Sequence, residues 1–169
     1  MRTHSFLRCT VFSLAAASAG VATAGGSESE TTPFKSAFVT HESIAFNPVV
    51  CPLPPFLLGT STGEGLASHM GKTTLTSADC VVPGASSFTF TNGALTLTAA
   101  NGDTVTAEYN GSLLPALQQP GLYNLSGSYR VTGGTGRFVG STGSGYLRGT
   151  TNILTGQGAY TATGTLSRP

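Results

Sequence analysis

The feature that most constrains this fold is an alternation of apolar and polar residues with a period of two, which runs from Phe34 towards the end of the chain. Around the middle of the chain, for example, Val105, Ala107 and Tyr109 alternate with polar residues. The spacing typical of an amphipathic helix is absent, and a helix would have to accept glycine in almost every turn, at about 1 kcal/mol each. The alternation therefore predicts antiparallel strands that pack one face and leave the other in water.

The strands can be placed from the alternation and the turns from the residues between them. The clearest strands are predicted at 94–99, 104–110, 121–132 and 158–166, and weaker ones at 35–46, 63–70, 72–78, 88–91 and 138–147. Tight turns are predicted at Asn92-Gly93, at 101–103 and at Gly133-Gly134, because these residues accept a positive φ. Asn110-Gly111 is either another turn or a bulge.

Eight or nine Thr-rich strands leave the problem of exposed sheet edges, which full closure removes. A barrel of eight strands has an interior just wide enough for side chains or for one small ligand. We therefore predict an all-β fold, a single antiparallel closed β-barrel of eight strands, or nine at most. A two-sheet sandwich is the competing arrangement.

Residues 1–24 have the organisation of a signal peptide. Arg2 and Arg8 supply a basic start, 11–21 is an apolar run, and Ala22 and Ala24 are the small residues that a signal peptidase reads. The run is shorter than the ~20 residues that a membrane-spanning helix needs. We expect cleavage after Ala24, a flexible segment at 25–34, a barrel domain at 35–169 and a secreted or periplasmic location without a membrane anchor. The alternative is a buried N-terminal helix.

The cysteines fit this expectation of export. Cys9 lies in the leader, which leaves Cys51 and Cys80. A disulfide between them would close a loop of about 30 residues and stabilise the fold by roughly 3–4 kcal/mol. The alternative is two free buried thiols. Neither the cysteines nor His41 and His69 have partners at metal-ligand spacing, so we predict no metal and no cofactor.

The charge of the chain excludes one class of partner. Of eight Lys and Arg, Arg2 and Arg8 belong to the leader, so six basic residues face seven acidic ones in the rest of the chain, and they are scattered. Nucleic-acid binding needs a basic stripe that neutralises phosphates. We therefore expect no nucleic-acid partner, and no basic amphipathic helix marks a membrane-binding segment either.

The C-terminal half resembles a known family. The stretch from Val131 to Gly145, VTGGTGRFVGSTGSG, is similar to the V-T-G-G-[ST]-G-x-F-x-G-A-x-G stretch of allene oxide cyclases, and dirigent proteins carry a related G-G-T-G-x-F segment. The runs LTAANGDT at 97–104 and SHMGKT at 68–73 resemble stretches of exported bacterial relatives with the same predicted barrel. The resemblance covers about 64–167.

This resemblance implies an eight-stranded barrel that often forms homo-oligomers. The family's enzymes guide cyclisation or coupling of flexible, mostly apolar molecules without a cofactor, and a glutamate on the first strand contributes. Glu42 shares a strand face with Phe38, Ile44 and Phe46, so it is the candidate catalytic acid, and burial would raise its pKa. The alternative is a solvated Glu42. The glycines of the motif, Gly133, Gly134 and Gly136, would permit the turn, and Phe138 would return the chain to the core.

Four tyrosines lie on apolar strand faces and are interpreted either as core or as ligand-binding residues whose hydroxyls face a pocket: Tyr109, Tyr123, Tyr129 and Tyr160. The segment 59–63 matches G-x-S-x-G, but a nucleophile elbow needs a following helix, which the sequence does not supply. His69 is interpreted as an outward-facing strand residue with a structural role.

Three functions remain open. The first is an exported barrel that binds a small apolar ligand or assembles into a homo-oligomer. The second is a cofactor-free cyclase or isomerase, and the third is a structural or surface-interaction module. Fold alone does not decide between them. The state of the barrel interior does, since an open apolar cavity favours binding or catalysis.

Overall fold

The computed structural model describes residues 30–117 and 119–168. The predicted signal peptide and its cleavage site lie outside the described residues. The eight strands are β1 (Glu30–Phe46), β2 (Leu57–Ala67), β3 (Gly71–Pro83), β4 (Phe88–Ala99), β5 (Thr104–Pro115), β6 (Leu122–Gly134), β7 (Thr142–Asn152) and β8 (Gln157–Arg168). The described residues contain no α-helix, and a short 3-10 helix, η1 (Gly136–Phe138), lies between β6 and β7.

Each strand pairs antiparallel with the next, and β1 also pairs with β8, which closes the sheet. Ser36 shows the closure at a single residue, since it is opposite Ala67 on one side and Ala162 on the other. This confirms the predicted eight-stranded closed barrel and excludes the sandwich. β1 begins at Glu30, ahead of the predicted boundary at Lys35, because 30–34 pair with the end of β8.

The turn predicted at Asn92-Gly93 is wrong. Asn92-Gly93 does not separate two strands but lies inside β4, where Asn92 adopts a φ of 53°. The pairing with β5 steps from Phe90–Gly111 to Gly93–Tyr109, so β4 carries one extra residue there. The feature is a β-bulge, which uses the same positive-φ residue that a hairpin turn would use. Asn110-Gly111, opposite it, lies in uninterrupted β5.

One end of the barrel is closed by packed side chains. The connection from β6 to β7 carries Phe138, which has no exposed surface, and Leu166 on β8 is equally buried. Gly133 and Gly136 have φ values of 149° and 57°, and a Cβ on Gly134 would collide with the carbonyl of Thr104. Gly133 and Gly134 are the last two residues of β6, so the tight turn predicted there is wrong. The chain reverses at 135–141, with η1 at its centre, and this connection returns Phe138 to the core as predicted.

At the other end, the long connection from β1 to β2 is tethered to β3. The disulfide between Cys51 and Cys80 confirms the predicted pairing and joins this connection to the outer side of the barrel wall. Both cysteines are buried, although Asp79 and Val81 on either side of Cys80 face the interior. The disulfide is compatible with an extracellular or periplasmic protein.

Candidate functional site

The interior of the barrel holds a cavity of about 110 Å³ with a predominantly apolar lining. It extends from Phe34 and Val131 on the side of the closed end to Ile44 and Ile153 at the opposite end. For comparison, an apolar cavity of about 150 Å³ in another protein accepts benzene. The space is therefore suited to a small apolar group, and three polar clusters on its wall could orient such a group.

The first polar cluster is a carboxyl–phenol pair formed by Asp79 and Tyr109. The Tyr109 hydroxyl donates a hydrogen bond to Oδ2 of Asp79 at 2.6 Å, across the intervening strand β4. Burial raises the pKa of Asp79, and the hydrogen bond from Tyr109 partly offsets this. Burial and the neighbouring Asp79 carboxyl also raise the pKa of Tyr109 above its ordinary value.

Glycines make this pair possible. Gly93 on β4 pairs with Tyr109, and a Cβ there would stand 2.7 Å from two carbons of the tyrosine ring. A Cβ on Gly59 of β2 would likewise stand 2.9 Å from Oδ1 of Asp79. Both side chains thus lie along the wall over a neighbouring glycine instead of crossing the interior. This arrangement keeps space open in a barrel whose interior side chains would otherwise fill it.

Glu42 is the second polar cluster. Its carboxylate accepts hydrogen bonds from the hydroxyls of Thr151, at 2.7 Å, and Thr40, at 3.3 Å, and lies over Gly158 of β8. Burial raises the pKa of Glu42, the two hydroxyls lower it, and the Asp79 carboxyl raises it further. Glu42 therefore faces the apolar cavity, as its strand face predicted, and is partly buried. Whether it acts as a catalytic acid stays a prediction.

The tyrosines divide into two groups. Tyr109, Tyr129 and Tyr160 line the cavity, whereas Tyr123 does not and packs edge-on against Phe88, with ring centroids 5.3 Å apart. The hydroxyl of Tyr129 is the third polar feature of the cavity wall. Tyr129 is 6% exposed, burial raises its pKa to about 12, and its hydroxyl has no hydrogen-bond partner among the described residues. A buried hydroxyl without a partner is unusual in a folded protein.

The other sequence motifs do not contribute to the candidate site. The G-x-S-x-G match at 59–63 is contained in β2, so no nucleophile elbow forms. His69 is exposed but lies in the turn between β2 and β3, not on a strand, and has a φ of 65°. Its Nε2 lies 3.2 Å from the Pro33 carbonyl oxygen and 3.2 Å from the Thr32 hydroxyl, which ties the turn to β1. Among the described residues, no three His, Cys, Asp or Glu side chains form a metal-binding group.

The sequence interpretation missed Asp79. The weak strand predicted at 72–78 stopped one residue short of it, whereas β3 continues to Pro83. A signal was nevertheless present, since Leu75, Ser77, Asp79 and Val81 keep a period of two and all line the cavity. The glycines beneath the large side chains were also missed, because which residue lies opposite each glycine depends on the register.

The chain matches no protein family, no curated protein and no solved structure. The resemblance to allene oxide cyclases and dirigent proteins therefore stays a prediction that depends on the quoted motifs alone. In the part of the chain that the structure describes, no helix has the length and apolar character needed to cross a bilayer.

Proposed function

We propose that this protein is an exported barrel that binds a small, mostly apolar molecule. The observation that carries the proposal is the apolar cavity with Glu42, the Asp79–Tyr109 pair and Tyr129 on its wall. Apolar pockets with a few convergent polar groups are the usual form of small-molecule sites. The predicted signal peptide and the disulfide support an extracellular or periplasmic location.

The polar groups limit the chemistry of the ligand. Two carboxyl groups face the cavity, so an anionic ligand would be repelled whenever they ionise. Tyr129 has a free donor, and Glu42 can accept a further hydrogen bond. A compact apolar molecule with one hydroxyl or carbonyl group therefore suits the site best, and a longer molecule would extend towards Ile44 and Ile153.

Two measurements test binding. Native mass spectrometry of the protein purified from its own host is expected to show a bound small molecule. Binding of an apolar fluorescent dye, which the ligand should displace, then locates the site. It is measured in Ala162→Leu, whose larger side chain fills part of the cavity. The matched control is Ala159→Leu on the same strand, where the side chain is exposed. We expect Ala162→Leu to lose dye binding and Ala159→Leu to retain it. Equal binding by both folded variants would place the ligand elsewhere.

A second candidate function has one observation in its favour. Glu42, whose pKa is raised, faces the same cavity as the Asp79–Tyr109 pair, so the site holds two groups able to transfer protons. A cofactor-free cyclase or isomerase would use such groups. Glu42→Gln is then expected to abolish turnover while ligand binding persists. Unchanged turnover would remove Glu42 from the mechanism.

The remaining interpretations stay predictions. A purely structural module would not require the polar groups that line the cavity, so we rank it below the binding protein. Homo-oligomerisation, which the family resemblance implies, is to be measured by analytical ultracentrifugation.

A further inference from the structure

Exposed apolar side chains are concentrated at the end of the barrel opposite Phe138. We call six of them the apolar rim: Phe46, Val49, Leu53, Leu117, Ile153 and Leu154. They belong to the last residue of β1 and to the connections β1–β2, β5–β6 and β7–β8, which the topology brings to one end. The most exposed are Leu117, at 99%, and Val49, at 91%. Single exposed apolar residues are ordinary, but a group of this size at one end marks an interaction site.

The connections at this end contain no ionisable residue, and the nearest ones are His41 and Glu42 beside the β7–β8 connection. The segments 44–59, 80–91, 112–125 and 150–157 contain no Asp, Glu, Lys, Arg or His. The opposite end and the barrel wall hold the exposed charges, including the ion pairs of Lys72 with Glu64 and of Arg137 with Asp103. Among the described residues, the connections at one end are therefore uncharged and apolar, and those at the other end carry charges.

We propose that the apolar rim inserts into the surface of an uncharged, zwitterionic lipid membrane. The side chains are spread over three connections and the end of β1, and their exposed fractions range from 40% to 99%, so they are separate tips and not one packed face of the kind a protein partner contacts. A fluid lipid surface accommodates separate apolar tips. Insertion to the boundary between headgroups and acyl chains follows from buried apolar area alone when no basic residue is present.

The apolar rim is continuous with the lining of the cavity. Ile153 belongs both to the rim and to the cavity lining, so the two apolar surfaces are continuous. A barrel docked by this end would present its cavity to the lipid phase, where apolar small molecules concentrate. The docking itself does not rest on the proposed ligand, because it concerns the outer connections and not the cavity wall.

Vesicle flotation tests the proposal with protein purified from its own host, where any leader is processed, and with vesicles of phosphatidylcholine. The rim variant carries Val49→Gln, Leu53→Gln and Leu117→Gln. The matched control carries Val39→Gln, Leu66→Gln and Val139→Gln, three exposed apolar residues elsewhere on the surface. We expect the wild type and the control to float, and the rim variant to lose at least about tenfold in partition coefficient. Salt is expected to have little effect, since no charge attraction is involved.

A spectroscopic measurement locates the contact. The chain has no tryptophan, so Leu117→Trp introduces a single reporter on the rim and Leu66→Trp one on the wall. Brominated lipid is expected to quench the first and not the second. The cavity variant Ala162→Leu is expected to float like the wild type, which separates docking from ligand binding.

Three results would overturn the proposal. Equal flotation of the rim variant and the control would assign binding to another part of the molecule. Binding only to anionic vesicles, abolished by salt, would show electrostatic attraction instead. Rim-dependent dimers in ultracentrifugation, with no flotation, would make the rim a protein contact.

Discussion

The two ends of the barrel are built from the same alternating strands, but packed side chains fill one end and the cavity reaches towards the other. At the closed end, Phe138 and Leu166 are completely buried, and the connection above them is held by Arg137 and Asp103, whose charged atoms are 3.4 Å apart. At the other end, the four connections contain no ionisable residue, three of them carry exposed apolar side chains, and the cavity reaches towards them. The comparison separates the part of the molecule that stabilises the fold from the part that is available for binding.

The difference follows from where the large side chains lie. Near the closed end, Phe138 enters the interior from the β6–β7 connection and fills it. Further along, Tyr109 lies over Gly93, Tyr160 lies beside Gly149, and Phe90 lies over Gly111. Large side chains therefore pack in both parts of the barrel. Along the wall they lie over glycines and leave the centre of the barrel open. The volume of the cavity depends on these glycines as much as on the residues that line it.

The strongest test of the comparison is removal of the residue that fills the closed end. Phe138→Ala is expected to lower the free energy of unfolding by roughly 3–5 kcal/mol, because it deletes a fully buried ring and leaves a cavity. Urea denaturation measures the change. The control is Val139→Ala at the exposed neighbour, with an expected change within about 0.5 kcal/mol. A loss below ~1 kcal/mol for Phe138→Ala would mean that the closed end does not carry the stability assigned to it.

The second test acts on the opposite end. Replacing Cys51 and Cys80 by serine is expected to cost roughly 3 kcal/mol, since the unfolded chain regains the freedom of the closed loop. Hydrogen exchange should also show faster exchange in the β1–β2 connection than the global loss explains, with no such excess around Phe138. A reductant should reproduce the effect in the wild type and leave the double variant unchanged. Uniform acceleration across both ends would contradict the division.

The third test concerns the glycine beneath Tyr109. Gly93→Ala is expected to cost roughly 1–3 kcal/mol, because its Cβ would lie 2.6 Å from the backbone oxygen of Tyr109 and 2.7 Å from its ring, so both the backbone and the side chain would have to shift. Gly84→Ala, where the nearest atom is the mobile hydroxyl of Ser87, is the matched control and should change stability by less than ~1 kcal/mol. Thermal melting measures both. If the two variants melt alike, the close approach over Gly93 does not constrain the wall.

The smallest expected effect is a pH dependence. Burial raises the pKa of Glu42 above the ordinary 4.5, so the folded protein holds this proton more tightly than the unfolded chain. The resulting stabilisation is complete below the unfolded pKa and is lost as pH rises through the folded pKa. Relative to Glu42→Gln, the wild type should therefore lose stability as pH increases from about 4.5. A wild type that gains stability over the same range would show that hydrogen bonds from Thr151 and Thr40 outweigh burial.

Much of the barrel could be predicted from the sequence, because alternation reports directly which strand face is buried. It correctly placed Glu42 on the face of Phe38, and Tyr109, Tyr129 and Tyr160 on interior faces. Asn92-Gly93 was misinterpreted because a bulge and a hairpin turn need the same positive-φ residues. Tyr123 was placed on an apolar face correctly but lies beside Phe88, beyond the cavity, and only the length and tilt of β6 decide that.

The candidate site was less accessible to sequence reasoning. Contact between Asp79 and Tyr109 depends on the single bulge in β4 and on Gly93 between them, neither of which changes the alternation of β3 or β5. Cys80 made the strand face harder to assign. The disulfide buries this residue on the outer face of the barrel, where a buried apolar residue resembles a core residue. Local pattern therefore identifies strand faces, while the polar clusters emerge only from register.

The seating of aromatic rings over glycines has a consequence for how such a barrel could diversify. Enlarging Gly93 alone displaces Tyr109, and shrinking Tyr109 alone exposes a gap over Gly93, so either single step is penalised. A smaller residue at position 109 does not remove the first penalty, because a Cβ at position 93 would also lie 2.6 Å from the backbone oxygen of residue 109. Cavity shape is therefore freer to change at position 109 than at position 93, and a library that keeps Gly93 and randomises position 109 should yield more folded pockets than one that randomises both.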